Sequence, residues 1–149
     1  MQNSSIDIFG FSVALAIGLL IGIERERRKG EGQNRSAAGV RTFMLIALAG
    51  AIADRLGGVG VAIGGAFVTL AGLASYRRNR DDDPGLTTEV AMLVTFMLGV
   101  LAMHQLGLAG ALGVVVALVL ASKSRLHLFA RQTLTEQEMH DGLLLAALP

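Results

Sequence analysis

Hydrophobic residues in this chain fall into five blocks that are separated by short polar or charged links. The blocks cover roughly residues 6–23, 37–53, 59–75, 87–103 and 108–121. A helix rises about 1.5 Å per residue, so the longest blocks approach the roughly 30 Å of a bilayer's hydrocarbon core. The pattern therefore predicts an all-α membrane bundle of about five transmembrane helices.

Composition supports a lipid bilayer as the surroundings of these helices. Hydrophobic residues make up 52% of the 149 residues and charged residues only 17%, whereas soluble domains carry about 25% charged residues. The mean hydropathy is +0.56. No Lys or Arg precedes Arg25, and no small-residue cleavage site follows the first block. We interpret that block as a retained membrane helix and not as a signal peptide.

The basic residues are distributed unevenly between the two sides of the predicted bundle. With five spans, the links alternate sides, and all of the 13 Lys and Arg residues except Arg55 fall on one side. Cytoplasmic loops of membrane proteins carry an excess of Lys and Arg. The asymmetry predicts a multi-pass membrane protein with its N-terminus outside.

Several functional classes are disfavoured by composition. The net charge of +1 gives no indication of nucleic-acid binding, and the absence of cysteine excludes disulfides and thiolate metal sites. The three histidines, His104, His127 and His140, have no metal-ligand spacing. We find no nucleophile–base pair and no phosphate loop, so we expect neither an enzyme nor a resident cofactor.

Small residues recur every four positions in the first and fifth blocks. Such spacing places them on one helix face, where another helix backbone can approach closely. The predicted helix-packing interface consists of Gly10, Ala14, Gly18, Gly22, Ala109, Gly113 and Ala117. Gly and Ala are common in membrane helices in any case, but four in register favour an interface, and we expect a homodimer.

Three charged residues lie at the cytoplasmic ends of predicted spans: Glu24, Arg41 and Glu89. A charge at membrane depth is costly and needs a partner. The second block is too short to span unless it includes Arg41. We therefore hypothesise that Arg41 bridges Glu24 and Glu89. Three further polar residues belong to the same predicted cluster: Glu26, Thr42 and Thr88.

Simpler interpretations of these charges remain open. Arg41 and Glu24 can extend into the headgroups, and Glu89 can favour the positive N-terminal end of its helix. Glu24 and Glu89 could also bind Mg²⁺ through water, although a static ion pair with Arg41 would leave no free carboxylate for that. The acidic run at residues 81–83 is more typical of a solvated loop.

The last part of the chain differs from the rest. We assign residues 6–125 to the membrane domain and residues 126–149 to an amphipathic tail. Thr135 and Glu138 fit a capping box for a new helix, and the apolar residues 143–148 are too few to span. The tail either lies at the membrane interface or begins a further span.

The chain resembles the MgtC/SapB family of bacterial membrane proteins over roughly residues 10–125. The resemblance is carried by three segments that read GLLIGIERE at 18–26, AGVRT at 38–42 and TTEVA at 87–91. It implies an inner-membrane protein linked to magnesium limitation, which acts on other membrane machines such as the proton-driven ATP synthase. The family's characteristic charged positions correspond to Glu24, Glu26, Arg41, Thr42 and Glu89. The tail is similar to that of larger relatives with further spans.

Two functions are compatible with these observations. The first is a non-enzymatic module that modulates ion homeostasis, or other membrane machines, through helix–helix contacts. The second is an ion transporter or channel domain in which Glu24, Arg41 and Glu89 line the path. Ion flux in liposomes would distinguish them.

Overall fold

The computed structural model describes residues 2–27, 38–78 and 86–133, with side chains described for residue 5 and for residues 7–27, 38–78 and 86–122. These ranges contain only α-helices and short links, and no strand occurs in them, which confirms the predicted all-α class. The five helices are α1 (Gln2–Arg27), α2 (Val40–Arg55), α3 (Gly58–Arg78), α4 (Thr87–Ala102) and α5 (Leu106–Thr133).

The helix boundaries agree with the hydrophobic blocks except at the end of α5. The fifth helix was predicted to end near Ala121, but α5 continues to Thr133. That prediction was wrong because a change to charged residues does not by itself end a helix. No Gly or Pro occurs between Val114 and Thr133, and most of these residues are good helix formers. The predicted capping box in the tail lies outside the described residues.

Two of the helices are long and apolar enough to cross a bilayer. These segments are Asp7–Arg27 and Gly58–Arg78, with 21 residues each. The apolar parts of α4 and α5, Thr87–Ala102 and Leu106–Ser122, are shorter. A helix of 16 residues, such as α4, reaches about 24 Å. Five spans and an outer N-terminus therefore stay predictions.

Helix α4 occupies the centre of the bundle and packs against each of the other four helices. Around it, α5 contacts α1, α1 contacts α2, and α2 contacts α3. Within the described ranges α3 and α5 do not contact each other. The four outer helices thus form an arc around α4 that is open between α3 and α5.

The tightest packing lies where α2 crosses α4. Gly50 of α2 is placed against the backbone of Phe96, and Gly99 of α4 against the backbone of Ala47. A side chain at either glycine would overlap a carbonyl oxygen of the facing helix. The large side chains that are fully buried beside this crossing include Phe43 and Phe96.

The predicted small-residue stripe of α1 packs inside the same chain. A Cβ atom built at Gly18 would lie 2.7 Å from Met44 Cα, and one at Gly22 would lie 2.7 Å from Val40 Cα. A Cβ atom at Gly10 would lie 2.7 Å from Met103 Sδ. The stripe therefore receives α2 and the end of α4, and Ala14 within it is fully buried.

The stripe of α5 is also used within the chain. Ala109 and Ala117 are buried, and a Cβ atom at Gly113 would lie 2.9 Å from Ile17 Cγ1 of α1. Close helix packing at these positions is thus intramolecular. The homodimer stays a prediction, and the two stripes are not free to form it.

A glycine ends α2 and allows α3 to begin at once. Gly57 has a φ of +84°, which L side chains rarely adopt. Its N–H donates to the carbonyl oxygen of Asp54 at 3.0 Å, as in common helix C-terminal motifs. This tight turn brings α3 back along α2 and α4.

Candidate functional site

The polar side chains predicted to matter gather where α1 ends and α4 begins. We call this group the charged corner and define it as Glu24, Arg25, Glu26, Thr88 and Glu89. The starts of α2 and α4 and the end of α3 meet it, because consecutive helices of the bundle alternate in direction. The corner therefore lies at the end of the bundle that the charge distribution predicts to be cytoplasmic.

A cross-helix hydrogen bond joins α1 to α4. The Nη2 atom of Arg25 donates to Oγ1 of Thr88, and both residues are half-buried. An Arg side chain can pack its stem along apolar helices while its guanidinium reaches a polar acceptor. The contact fixes the last turn of α1 against the first turn of α4.

A second contact joins α1 to α2. Glu26 Oε2 accepts a hydrogen bond from the backbone N–H of Val40, with an N–O distance of 2.9 Å. The N-cap residue of α2 is Gly39, which has no side chain to offer an acceptor. Glu26 therefore satisfies one of the unpaired N–H groups at the start of α2 and places a negative charge at its positive end.

Glu89 is the unusual member of the corner. Its Oε2 atom is buried and has no hydrogen-bond partner among the described residues. Its side chain lies beside α3, where a Cβ atom at Gly72 would be 3.5 Å from Glu89 Cβ and Cγ. A buried polar atom without a partner costs free energy. Such a residue is a good candidate for a functional role because no described contact accounts for its burial.

The predicted bridge by Arg41 is not formed in this structure. Arg41 is exposed, and no ion pair or hydrogen bond to it is found within the described residues. Phe43 is fully buried, and a helix turns about 100° per residue, so Arg41 lies roughly 200° around α2 from Phe43. It therefore points away from the bundle. Thr42 is half-buried.

Glu24 is half-buried and has a neighbour on its own helix. Its Oε2 atom lies 3.7 Å from Nη1 of Arg27, whose side chain is 76% exposed. Because the Arg27 end of this ion pair is exposed and the N–O distance is long, the pair contributes little to stability. Glu24 and Glu89 thus belong to the same corner, but Arg25 and not Arg41 makes the link between α1 and α4.

Polar contacts also join helices at the opposite end of the bundle. Arg55 Nη2 lies 3.0 Å from Asp7 Oδ2, and His104 Nε2 lies 2.6 Å from Asp54 Oδ1. Sequence analysis did not anticipate these pairs. The one feature of the sequence that pointed to these ion pairs is Arg55, which stands alone among the basic residues on that side.

Between these two ends the described interior is almost entirely apolar. Thr95 is the one buried polar side chain in the described core, and its hydroxyl donates to the Ala91 carbonyl oxygen of its own helix at 2.6 Å. No group of three or more His, Asp or Glu residues that could hold a metal ion occurs in the part of the chain that is described. The buried Oε2 atom of Glu89 could accept a cation as its partner. Binding of Mg²⁺ by Glu24 and Glu89 stays a prediction.

Fold and site together define a helical bundle with an apolar interior and polar contacts at both ends. The model of the MgtC family matches residues 11–129. The chain therefore belongs to the MgtC family, which confirms the resemblance seen in its sequence and indicates a membrane protein of the MgtC type. No curated protein and no solved structure matches the chain.

The two arginines give a direct test of the corner's geometry. Arg25→Met should lower the free energy of unfolding by about 1–2 kcal/mol, because it removes a charged hydrogen-bond donor from a half-buried acceptor. Arg41→Met should change it by less than about 0.5 kcal/mol, since Arg41 is exposed. Both values can be measured by chemical unfolding of the purified protein in detergent. A larger loss for Arg41→Met than for Arg25→Met would contradict the observed arrangement and favour the predicted bridge.

Proposed function

We propose that the protein is a non-enzymatic, multi-pass module of the bacterial inner membrane that modulates ion homeostasis linked to magnesium. It acts through helix–helix contacts with other membrane proteins. The observation that carries this proposal is the apolar interior between the charged corner and the polar pairs at the opposite end. An ion path needs polar groups or a water-filled cavity along its length, and the described core offers only Thr95.

Family membership supports the kind of partner that we propose. The resemblance implies a membrane machine such as the proton-driven ATP synthase as one partner. The second proposed partner is another copy of this chain, in a homodimer. Five spans with the N-terminus outside would place the charged corner at the cytoplasmic surface. There it would be within reach of cytoplasmic ions and of the soluble parts of a partner.

The alternative is a transporter or channel domain, and one observation favours it. The buried Oε2 atom of Glu89 is the kind of intramembrane polar group that marks ion paths and proton relays. The exposure of Arg41 counts against a path lined jointly by Glu24, Arg41 and Glu89. Mg²⁺ bound through water at Glu24 and Glu89 would be compatible with either function.

Ion flux in liposomes separates the two proposals. We expect liposomes that contain the purified protein to show no more Mg²⁺ or proton flux than empty liposomes. The module proposal fails if flux is present and is lost in Glu89→Gln but retained in Arg27→Gln. Arg27 is a suitable control because it lies on the same end of the bundle and its side chain is exposed.

A further inference from the structure

Helix α3 is the least buried of the five helices in the described ranges. Only Val68 and Gly72 are buried among its 21 residues. In contrast, six residues of α2 and seven of α4 are buried, although each of these helices has only 16 residues. Within the described ranges α3 packs against α2 and α4 alone. A segment with few buried contacts opens at a lower free energy than the rest of a fold.

Two glycines where α3 begins have the properties of a hinge. Gly57 has a φ of +84°, and a Cβ atom at Gly58 would meet no atom within 4 Å. Hinges are formed by a few residues at the ends of rigid elements, and glycine adopts a wide range of backbone angles. From Gly58 to Gly72 the helix rises about 21 Å, so a rotation of roughly 10° at this hinge would displace Gly72 by about 4 Å. At its other end α3 is joined to α4 by residues 79–86, which can span up to about 26 Å and therefore allow such a movement.

Glycines make up much of the face that α3 turns towards its neighbours. Gly60 lies against the end of α2, Gly64 lies against the ring of Phe96, and Gly72 lies against Glu89. Helices resist sliding where side chains of one insert into the grooves of the other. A glycine has no side chain to insert, so few interlocked side chains oppose a sideways displacement of α3.

The end of α3 that would move furthest lies against Glu89. A Cβ atom at Gly72 would be 3.5 Å from Cβ and Cγ of Glu89, and the Oε2 atom of Glu89 is buried without a hydrogen-bond partner among the described residues. Glu89 is the third residue of α4, so water at the charged corner is close. We propose that α3 is a movable cover, hinged at Gly57 and Gly58, whose displacement exposes the Glu89 carboxylate to water and cations on that side.

The buried oxygen itself favours the displaced position of α3. Covering Glu89 deprives its Oε2 atom of hydrogen bonds to water, and no described residue replaces them. Displacement of α3 restores these hydrogen bonds and sacrifices part of the packing between α3 and α4. The balance of the two effects sets how often the cover opens. Removal of the carboxylate should therefore keep α3 closed.

The chain has no cysteine, so a single introduced thiol can report the movement. Gly72→Cys places a thiol between α3 and α4, because Gly72 is buried and faces Glu89 at ordinary contact distance. Ala91→Cys is the matched control. Ala91 is also buried, lies two residues after Glu89 at similar depth, and lines a pocket between α4 and α5 instead. The full-length protein is labelled in lipid nanodiscs with a charged, water-soluble maleimide, and each rate is divided by that of the same variant unfolded in SDS.

We expect Gly72→Cys to react at least about tenfold faster than Ala91→Cys, because only the first thiol is uncovered by a local opening. Adding Glu89→Met should slow the reaction of Gly72→Cys about tenfold, since the buried oxygen that favours opening is gone. Loss of a negative charge beside a thiol would by itself favour the reactive thiolate, so a slower reaction reports closure. Adding Gly58→Ala should slow it about threefold, because alanine restricts the backbone of the hinge. Gly110→Ala, where a Cβ atom also meets no atom within 4 Å, should leave the rate unchanged.

Equal rates for Gly72→Cys and Ala91→Cys would overturn the proposal, as would a rate that neither Glu89→Met nor Gly58→Ala lowers. If Gly72→Cys does not fold, Ser75→Cys takes its place as the reporter. Ser75 is half-buried one turn further along α3, and its side chain differs from that of cysteine by one atom. The same comparisons then decide.

The inference rests on the proposed function in treating Glu89 as the functional residue, but the labelling rate reports the movement whether or not the protein conducts ions. Ion flux in liposomes together with slower labelling in Glu89→Met would refute the proposed module and retain the cover. Absence of flux together with unchanged labelling in Glu89→Met would refute the cover and retain the module.

Discussion

Replacing Gly99 with alanine is expected to lower the free energy of unfolding by about 3 kcal/mol, at the upper end of the usual cost of overpacking. A Cβ atom at Gly99 would overlap the carbonyl oxygen of Ala47, and one at Gly50 would overlap that of Phe96. Both obstacles are backbone atoms and cannot move aside as a flexible side chain would. Helices α2 and α4 would have to separate, and the central helix would lose part of its packing around Phe96.

Unfolding of the purified protein by increasing SDS in mixed micelles measures this effect. Gly110→Ala on α5 is the matched control, because no atom lies within 4 Å of a Cβ at that position. Alanine is favoured over glycine inside helices by roughly 0.5–1 kcal/mol, so the control should be neutral or slightly more stable. Equal stability of Gly99→Ala and Gly110→Ala would show that α2 and α4 are not in backbone contact in the folded protein.

The sequence was sufficient to locate the helices but not to arrange them. Hydrophobic blocks separated by polar or charged links identified all five helices, since each link interrupts the apolar pattern. The central position of α4 could not be inferred. In a membrane helix the faces towards lipid and towards the protein are both apolar, so the pattern within a block carries little information about contacts.

The glycines illustrate the same limit. The four-residue spacing in α1 predicted a helix-packing face for a homodimer, and in the structure this face packs against α2 and the end of α4 of the same chain. Spacing shows that a helix can be approached and not which helix approaches it. Gly50 and Gly99 make the closest contacts, yet each lacks neighbours in a four-residue register. These two glycines matter because α2 and α4 cross there with their backbones in contact.

For the candidate site, the sequence predicted a bridge made by Arg41, whereas in the structure Arg25 joins α1 to α4. The free-energy cost of a charge at membrane depth directed attention to Glu89, whose buried Oε2 atom has no hydrogen-bond partner among the described residues. The prediction of Arg41 rested on the length of the second block, which is too short to span a bilayer without it. A run of charges such as residues 24–29 does not show which basic residue faces inward, because that depends on how α1 is rotated against α4. In the structure this residue is Arg25.

Two carboxylates of the charged corner should respond in opposite ways to the same substitution. Glu89→Met is expected to raise the free energy of unfolding by about 1–3 kcal/mol, because it removes a buried oxygen without a described partner and leaves apolar volume beside Gly72. Glu26→Met is expected to lower it by about 1 kcal/mol, since it deprives the Val40 N–H of its acceptor. The SDS unfolding assay described for Gly99→Ala measures both.

The order of the two variants in function should be the reverse of their order in stability. The more stable variant, Glu89→Met, should be the one that loses activity. Under the proposed function, Glu89→Met should abolish rescue of a strain that lacks its own MgtC-type protein and is grown in magnesium-poor medium. Glu26→Met should retain most of that rescue, although it is the less stable variant. A residue that costs stability and is required for activity is typical of a functional site. Destabilisation by Glu89→Met equal to that by Glu26→Met would instead show that Glu89 is paired in the folded protein. The charged corner would then be a structural clamp, and function would have to be sought on the surfaces that contact partners.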